Sequence, residues 1–275
     1  MNRLRALALA ALVAIGLGAV GAAPGEASPA PGSAPLAVDT TPPSLVVDPF
    51  PRYLLGSQID SWYDDSYWGA YYRVQWKVSD PSGICSQTVD WGDKYGTWNY
   101  PLTPKQRTID FLEEKDAYDP GPDTFKIHST DCAGNTATAP TAVTQFGIRE
   151  DSDPGINYKG KWSVSRFQGF TEGTTRYSTK AGDSFTTTFT GNGPVALVME
   201  KAANRGSADV YVDGVFRKTI NTNAATTKHR VVVWQAIYKP GTHTLRVVNR
   251  GTAGHPRIDL DAVLMCQGID TGFSC

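Results

Sequence analysis

The chain has 275 residues, of which 40% are hydrophobic and 19% are charged. This composition is too apolar for a disordered chain, and the length leaves room for two domains of ordinary size. The 26 lysines and arginines are balanced by 27 aspartates and glutamates. Because nucleic-acid binders use a strong basic excess to displace counterions from phosphates, the composition argues against a nucleic-acid partner.

Residues 1–27 have the pattern of a secretory signal peptide. Arg3 and Arg5 precede an apolar run of small residues that continues to Ala23, as in the charged and apolar regions of such signals. A membrane-spanning helix is the alternative, but it needs about 20 apolar residues and usually a charged stop, whereas this run breaks into Pro, Gly and Ser. We therefore expect a secreted, extracellular protein that is not inserted in a membrane and acts as a monomer.

Residues 28–43 are rich in Pro, Ala, Gly and Ser, a composition that predicts a linker. Short runs of alternating apolar and polar residues then follow, each bounded by Gly, Pro, Asn or Asp and without helical periodicity between them. This pattern indicates an antiparallel β-sandwich over residues 44–148. Its strands are predicted at residues 72–78, 85–91, 108–112, 124–129 and 141–148.

A second linker is predicted at residues 149–155, and a second set of alternating runs follows it. Asp213-Gly214 separates two of these runs, which is the strongest local signal for a hairpin with a type I′ turn. About eight strands predict a jelly roll of two packed sheets over residues 156–275. The seven runs that indicate them are residues 185–189, 195–199, 208–212, 215–220, 230–237, 242–249 and 257–264.

The two predicted domains carry opposite charge. Residues 28–150 contain 9 basic and 16 acidic side chains, and residues 151–275 contain 15 and 10. Such an asymmetry allows an electrostatic contact between them. Each domain has its own set of alternating runs, so we expect the two to fold independently.

Three short motifs in the first domain resemble the bacterial immunoglobulin-like repeats of secreted and surface proteins. They are Asp39-Thr40-Thr41-Pro42-Pro43, Ser79-Asp80-Pro81-Ser82-Gly83 and Thr130-Asp131-Cys132-Ala133-Gly134-Asn135. The resemblance covers most of residues 39–148. It implies an immunoglobulin-like sandwich that acts as a spacer or an adhesive module.

The second domain is similar to the galactose-binding-like jelly rolls, related to carbohydrate-binding modules, that are appended to secreted bacterial hydrolases. The resemblance spans about residues 155–265 and implies the fold without fixing the ligand. The motifs that carry it are Arg176-Tyr177-Ser178, Gly182-Asp183-Ser184-Phe185, the run from Asn204 to Gly214, the run from Gly241 to Arg246, and Asp259-Leu260-Asp261-Ala262.

The resemblance also implies a bound calcium ion, since such jelly rolls often hold a structural calcium between their first and last strands. The resemblance implies Asp261 as one ligand, although calcium needs six or more oxygen atoms. The acidic set of Asp60, Asp64 and Asp65 is a second candidate. We expect no other cofactor.

The four cysteines are Cys85, Cys132, Cys266 and Cys275. An even number in an exported chain favours disulfides over free thiols, and no pair has the spacing of a zinc knuckle. Three pairings are possible. We prefer Cys85 with Cys132 and Cys266 with Cys275, because each pair then lies within one predicted domain.

Aromatic side chains offer sugars an apolar face, and neighbouring polar side chains supply hydrogen bonds to hydroxyls. Each aromatic residue has core packing as its alternative, above all Trp234, which follows three valines. Arg205 has an alternative too, in which it pairs with Asp209 or Asp259 and holds its loop. The predicted ligand-binding residues are Trp162, Arg176, Tyr177, Asn204, Arg205 and Trp234.

We expect a non-catalytic binding protein that recognises carbohydrate or a glycan-bearing surface through the second domain. The chain has no Gly-x-Ser-x-Gly, His-Glu-x-x-His or P-loop motif. A hydrolase acting on polysaccharide or ester stays open, because carboxylates from distant positions, such as Asp64, Asp65 and Glu200, could pair. An exported spacer or interaction protein is the third reading. Titratable groups with shifted pKa values in one cleft would favour the hydrolase.

Overall fold

The structure, a computed structural model, describes residues 38–48, 52–53, 60–62, 67–93, 95–115, 123–144 and 146–266. These residues form twenty β-strands and one turn of 3₁₀ helix, η1 (Thr171–Gly173). The predicted all-β class is therefore confirmed. Within the described ranges, no helix has the length and apolar character needed to cross a membrane.

Ten strands belong to the N-terminal sandwich. They are β1 (Ser44–Val47), β2 (Arg52–Tyr53), β3 (Asp60–Trp62), β4 (Tyr67–Ser79), β5 (Ile84–Asp93), β6 (Gly96–Leu102), β7 (Thr108–Lys115), β8 (Asp123–Asp131), β9 (Thr136–Thr138) and β10 (Ala142–Thr144). One sheet contains β1, β2, β3, β4 and β7, and the other contains β5, β6, β8, β9 and β10. That this sandwich belongs to the immunoglobulin-like family stays a prediction.

The other ten strands belong to the C-terminal sandwich. They are β11 (Phe146–Glu150), β12 (Ile156–Lys159), β13 (Ser163–Arg166), β14 (Thr174–Ser178), β15 (Ser184–Lys201), β16 (Ser207–Val212), β17 (Val215–Asn221), β18 (Lys228–Asn249), β19 (Ile258–Leu260) and β20 (Ala262–Cys266). A seven-stranded sheet has the order β11-β20-β15-β18-β16-β17, with β12 beside β15, and a three-stranded sheet has the order β13-β14-β19.

Several strands differ from their predicted extents. The single strand predicted at residues 141–148 is two strands, and β11 pairs with β20 in the seven-stranded sheet. The two strands predicted at residues 185–189 and 195–199 are one continuous strand, β15, and those predicted at 230–237 and 242–249 are one continuous strand, β18. β15 and β18 pair along most of their lengths, with shifts of register. Strand β6 was not predicted. Its side chains are mostly exposed and include Pro101, so it has no regular alternation. The domain boundary at residues 149–155 stays a prediction.

Two local predictions are confirmed. Asp213 and Gly214 both have positive φ, at 53° and 76°, as the type I′ hairpin requires. Cys85 and Cys132 form a disulfide with their Cα atoms 4.9 Å apart. Cys275 and the side chain of Cys266 lie outside the described residues, so the second disulfide stays a prediction.

Each sandwich has a core of its own. In the N-terminal sandwich the core is built on Trp76, Val89 and Ile127. In the C-terminal sandwich it lies between the two sheets and includes Phe185, Leu197, Leu245, Leu260 and many further apolar residues. We call the face of the seven-stranded sheet that points away from this second core the outer face.

A third cluster joins the two sandwiches. Ala196 and Val198 alternate with the core residues Val195 and Leu197 and therefore lie on the outer face. The N-terminal sandwich packs against this part of the sheet, and the shared cluster consists of Tyr72, Val74, Phe125, Ala196, Val198, Val232, Ala262 and Leu264. All eight side chains are buried. The independent folding of the two halves stays a prediction, and this cluster is the place to test it.

Candidate functional site

A chain of buried charges lies at one end of the C-terminal sandwich. Arg205, on the loop between β15 and β16, is only 5% exposed and forms ion pairs with Glu200 and Asp259. Glu200 also lies 2.9 Å from Nδ1 of His229, and Asp259 accepts hydrogen bonds from Arg257. Because buried charges are costly unless paired, this connected set, the Arg205 network, fixes the loop to the sandwich.

Gly206 explains why the loop can approach so closely. A Cβ atom at this position would lie 2.0 Å from the carbonyl oxygen of His255. The amide of Gly206 also donates to the carbonyl of Arg257 at 2.8 Å. The glycine after Arg205 therefore allows the guanidinium to reach the two buried carboxylates.

Three of the predicted site residues come together at this network. The Arg257 guanidinium lies over the ring of Tyr177, 3.8 Å from its centroid, and so covers one face of that ring. The Asn204 side chain accepts a hydrogen bond from Arg205 at 2.5 Å. Tyr177, Asn204 and Arg205 thus lie at one network. Arg205 pairs with Asp259, as in the alternative in which this arginine holds its loop.

Arg176 lies on the other face of β14, because successive side chains of a strand point in opposite directions. Its Nε is 3.7 Å from Oδ2 of Asp151, and its guanidinium is 5.0 Å from the centroid of the Tyr158 ring. The structure thus does not bring Arg176 to the side chains of Asn204 and Arg205.

The two predicted tryptophans pack in or against the core. Trp234 is 5% exposed, and Trp162 is half-buried against Tyr158 and Phe185, with ring centroids 5.0 and 5.9 Å away. Nε1 of Trp162 donates to the carbonyl of Lys159 at 3.2 Å. Both therefore adopt the core-packing alternative. The ligand-binding role of the six predicted residues stays a prediction.

A groove lies beside the Arg205 network. It has a volume of about 650 Å³, is open to solvent, and is lined by Arg166, Phe167, Gln168, Glu172 and Gly173. We call it the Phe167 groove. It combines one aromatic side chain with charged and amide groups that can bond to hydroxyls.

The segment that forms the groove is anchored at its buried end. Phe170 is buried, and the amide of Thr171 donates to Oδ1 of Asp261 at 2.9 Å. Phe167 remains 53% exposed, and its ring packs on His229 with centroids 4.7 Å apart. Because His229 contacts Glu200, the Arg205 network supports the exposed ring from behind.

Glu172 has an unusual backbone conformation. Its φ of 48° and ψ of 27° lie in the left-handed region, which non-glycine residues seldom adopt. Such strain persists only where the surroundings enforce it, and it is found preferentially at functional sites. The conformation places a charged side chain on the wall of the Phe167 groove.

Sequence reasoning missed Phe167, Glu172 and His229. None of them lies in an alternating run, and none matches a catalytic or metal-binding motif. The sequence does contain a signal for Phe167. This large aromatic residue lies in a segment with two glycines, Gly169 and Gly173, which is typical of a connection between strands. Connecting segments run over the surface and often carry functional side chains.

Two buried carboxyl groups have raised pKa values. Burial raises the pKa of Asp261 to about 7, with the neighbouring Asp151 adding to the shift. Burial also raises the pKa of Asp151, against the hydrogen bond from Thr174. Both side chains are almost fully buried, and neither lines the Phe167 groove.

Both predicted calcium sites stay predictions. Among the described residues, three carboxylates have oxygen atoms within 4.8 Å of one another only at Asp39, Asp80 and Asp131, a set that does not include Asp261. A calcium ion at Asp261 stays a prediction. Asp64, Asp65 and the side chain of Asp60 lie outside the described residues.

The fold and the groove define an all-β protein of two sandwiches with a candidate ligand groove at the edge of the second. No family model matches the chain. It is 34% identical over 109 residues to a Flavonifractor plautii protein named A type blood alpha-D-galactosamine galactosaminidase, which covers 40% of this chain and 10% of that protein. It is 30% identical over 99 residues to the A type blood N-acetyl-alpha-D-galactosamine deacetylase of the same organism, covering 36% and 13%.

The chain therefore spans about a tenth of the length of these two relatives. Among solved structures it is similar to a family 35 carbohydrate binding module from Clostridium thermocellum, with a TM-score of 0.34 and 16% identity, over 45% of this chain and 98% of the module.

Proposed function

We propose that this chain is a secreted, non-catalytic binding protein that recognises carbohydrate at the Phe167 groove. The observation that carries the proposal is the exposed ring of Phe167, held against His229 in an open groove with polar walls. Sugars present C–H groups to an aromatic face while their hydroxyls need donors and acceptors at the edges.

The groove offers both kinds of contact. Phe167 supplies the apolar surface, Arg166 and Gln168 supply donors, and Glu172 supplies an acceptor. The support behind the ring runs through His229 and Glu200 to Arg205. A side chain whose position is fixed before binding loses less conformational entropy when the ligand arrives, which favours a specific contact.

The names of the two relatives favour an amino sugar as the ligand. One is named a galactosaminidase and the other a deacetylase, so their reactions differ, whereas both names contain the α-D-galactosamine of A type blood. Each shares with this chain a segment of about 100 residues that is a small part of its own length. A glycan that carries galactosamine or N-acetylgalactosamine is therefore the first ligand to test.

The buried carboxyl groups favour binding over hydrolysis. Asp151 and Asp261 have raised pKa values, but neither lines the groove where a substrate would sit. A general acid must reach the proton acceptor on the substrate directly or through one water.

The disulfide between Cys85 and Cys132 fits an oxidising compartment outside the cell.

A glycan array with the mature protein tests the proposal, followed by calorimetric titration of the best ligand. Phe167→Ala is expected to weaken binding by about tenfold or more, because it removes the stacking surface. Tyr95→Ala is the matched control, since Tyr95 is an aromatic residue that is 73% exposed in the other sandwich. Equal affinities for the two variants would contradict the proposal, and turnover of the bound glycan would favour a hydrolase instead.

A further inference from the structure

The outer face of the seven-stranded sheet has an open end, away from the cluster that joins the two sandwiches. Four side chains from neighbouring strands form one row across it. Phe216 on β17 pairs with Tyr211 on β16, Tyr211 pairs with Arg246 on β18, and Arg246 pairs with Thr186 on β15. With strands about 4.8 Å apart, the row is roughly 14 Å long.

The two aromatic residues of the row form a platform. Phe216 is 52% exposed, and its ring meets that of Tyr211 edge to face with centroids 5.7 Å apart. The strand pairing changes register between Val210 and Tyr211. Such a bulge redirects side chains and recurs beside functional sites.

Arg246 supplies the charge of the row. It is exposed, and its guanidinium lies 6.0 Å from the centroid of the Tyr211 ring. In the described part of the chain it forms no ion pair. The nearby acidic residue Asp209 already accepts hydrogen bonds from Arg250 at 3.1 Å and from Thr219 at 2.6 Å. The platform therefore presents an unpaired cation.

We propose that this row binds an anionic polysaccharide, with a uronate carboxylate paired to Arg246 and sugar rings against Tyr211 and Phe216. The planar guanidinium matches a carboxylate with two parallel hydrogen bonds. A row of this length on paired strands suits an extended polymer better than a single sugar. None of its residues lines the Phe167 groove, so the inference goes beyond the proposed function and does not depend on it.

Polygalacturonate is the probe that tests this site, with a neutral galactan as the comparison polymer. The intact protein is expected to bind polygalacturonate, and Arg246→Gln to weaken that binding by about tenfold, because a charge-assisted contact is lost. Lys77→Gln is the control, since it removes the same charge from an exposed position on β4 of the other sandwich. Its affinity should stay within about twofold of the unaltered protein.

Three results would overturn the inference. The first is an equal affinity of the unaltered protein for polygalacturonate and for galactan. The second is an equal loss of polygalacturonate affinity in the Arg246→Gln and Lys77→Gln variants. The third is loss of polygalacturonate binding in Phe167→Ala while Arg246→Gln retains it. The last result would move the anion to the Phe167 groove. Failure on the glycan array alone would leave this site standing, so the two proposals fail separately.

Discussion

The outer face of the seven-stranded sheet differs at its two ends. At one end Ala196, Val198 and Leu264 are fully buried beneath the N-terminal sandwich. At the other end Arg246 is exposed and Thr186 is half-buried. The same sheet therefore serves as part of a continuous interior in one region and as a surface in another.

The two regions of β15 show how the sequence encodes this difference. Over residues 185–190 the side chains of one face, Phe185, Thr187 and Phe189, are buried, and the threonines of the other face are half-buried or exposed. Residues 195–199, in contrast, are apolar and buried at every position. A strand that is apolar on both faces needs a layer on each side of the sheet. The uninterrupted apolar run thus marks where the N-terminal sandwich covers the C-terminal one.

The largest expected loss of stability follows from removing a buried charge rather than an exposed one. Arg205→Ala should lower the free energy of unfolding by about 3–5 kcal/mol, because Glu200 and Asp259 would be left buried without a partner. Arg250→Ala is the comparison, since that side chain is 51% exposed in its pair with Asp209 and should cost about 1 kcal/mol or less. Urea denaturation measures both. Equal costs would contradict the structural role of the Arg205 network.

Affinity measurements on the same Arg205→Ala protein show whether Arg205 also takes part in ligand binding. If the folded fraction binds the array ligand as tightly as the unaltered protein, Arg205 only holds its loop. If affinity falls by about tenfold or more, Arg205 also acts on ligand binding, either by direct contact or through the support that Glu200 and His229 give to Phe167.

The next prediction compares the stability lost by a substitution in the shared cluster with that lost by one in the C-terminal core. Leu264, in the shared cluster, and Leu260, in the core, are both fully buried. If the N-terminal sandwich is a layer of the same fold, Leu264→Ala and Leu260→Ala should each cost about 2–5 kcal/mol of unfolding free energy. A cost well below about 1 kcal/mol for Leu264→Ala alone would show that the two sandwiches fold independently.

The last comparison is the pH dependence of stability set by Asp261. Its pKa is raised from 3.8 to about 7 by burial, so between these values the folded protein holds a proton that the unfolded chain has lost. The contribution of Asp261 to stability is therefore present at low pH and is lost as the pH rises through about 7. Asp261→Asn should remove this slope, as urea denaturation at several pH values would show. Parallel stability curves for the two proteins would contradict it.

Much of the fold could be predicted from local patterns. Alternation predicts β4, β5 and β8, and Asp213-Gly214 predicts a hairpin. The preference for cysteine pairs within one predicted domain, out of three possible pairings, agrees with the disulfide between Cys85 and Cys132. The division of residues 141–148 into two strands could not be predicted, because it depends on β20, more than 100 residues away along the chain.

Less of the candidate site could be predicted. The sequence predicts Asn204 and Arg205 as site residues, but the burial of this arginine depends on Glu200 and Asp259 from two other segments. The sequence predicts Tyr177 as an aromatic surface for a sugar, yet Arg257 covers one face of its ring. The exposed aromatic residue of the groove, Phe167, lies in a connecting segment where no periodicity indicates which side chains are buried.

Hydrogen–deuterium exchange with and without the best glycan of the array tests the central claim, that the C-terminal sandwich binds carbohydrate at the Phe167 groove. Backbone amides of residues 166–173 are predicted to exchange more slowly in the complex, because the ligand would order the segment that carries Phe167 and Glu172. Protection confined to other segments, with residues 166–173 unchanged, would contradict the claim.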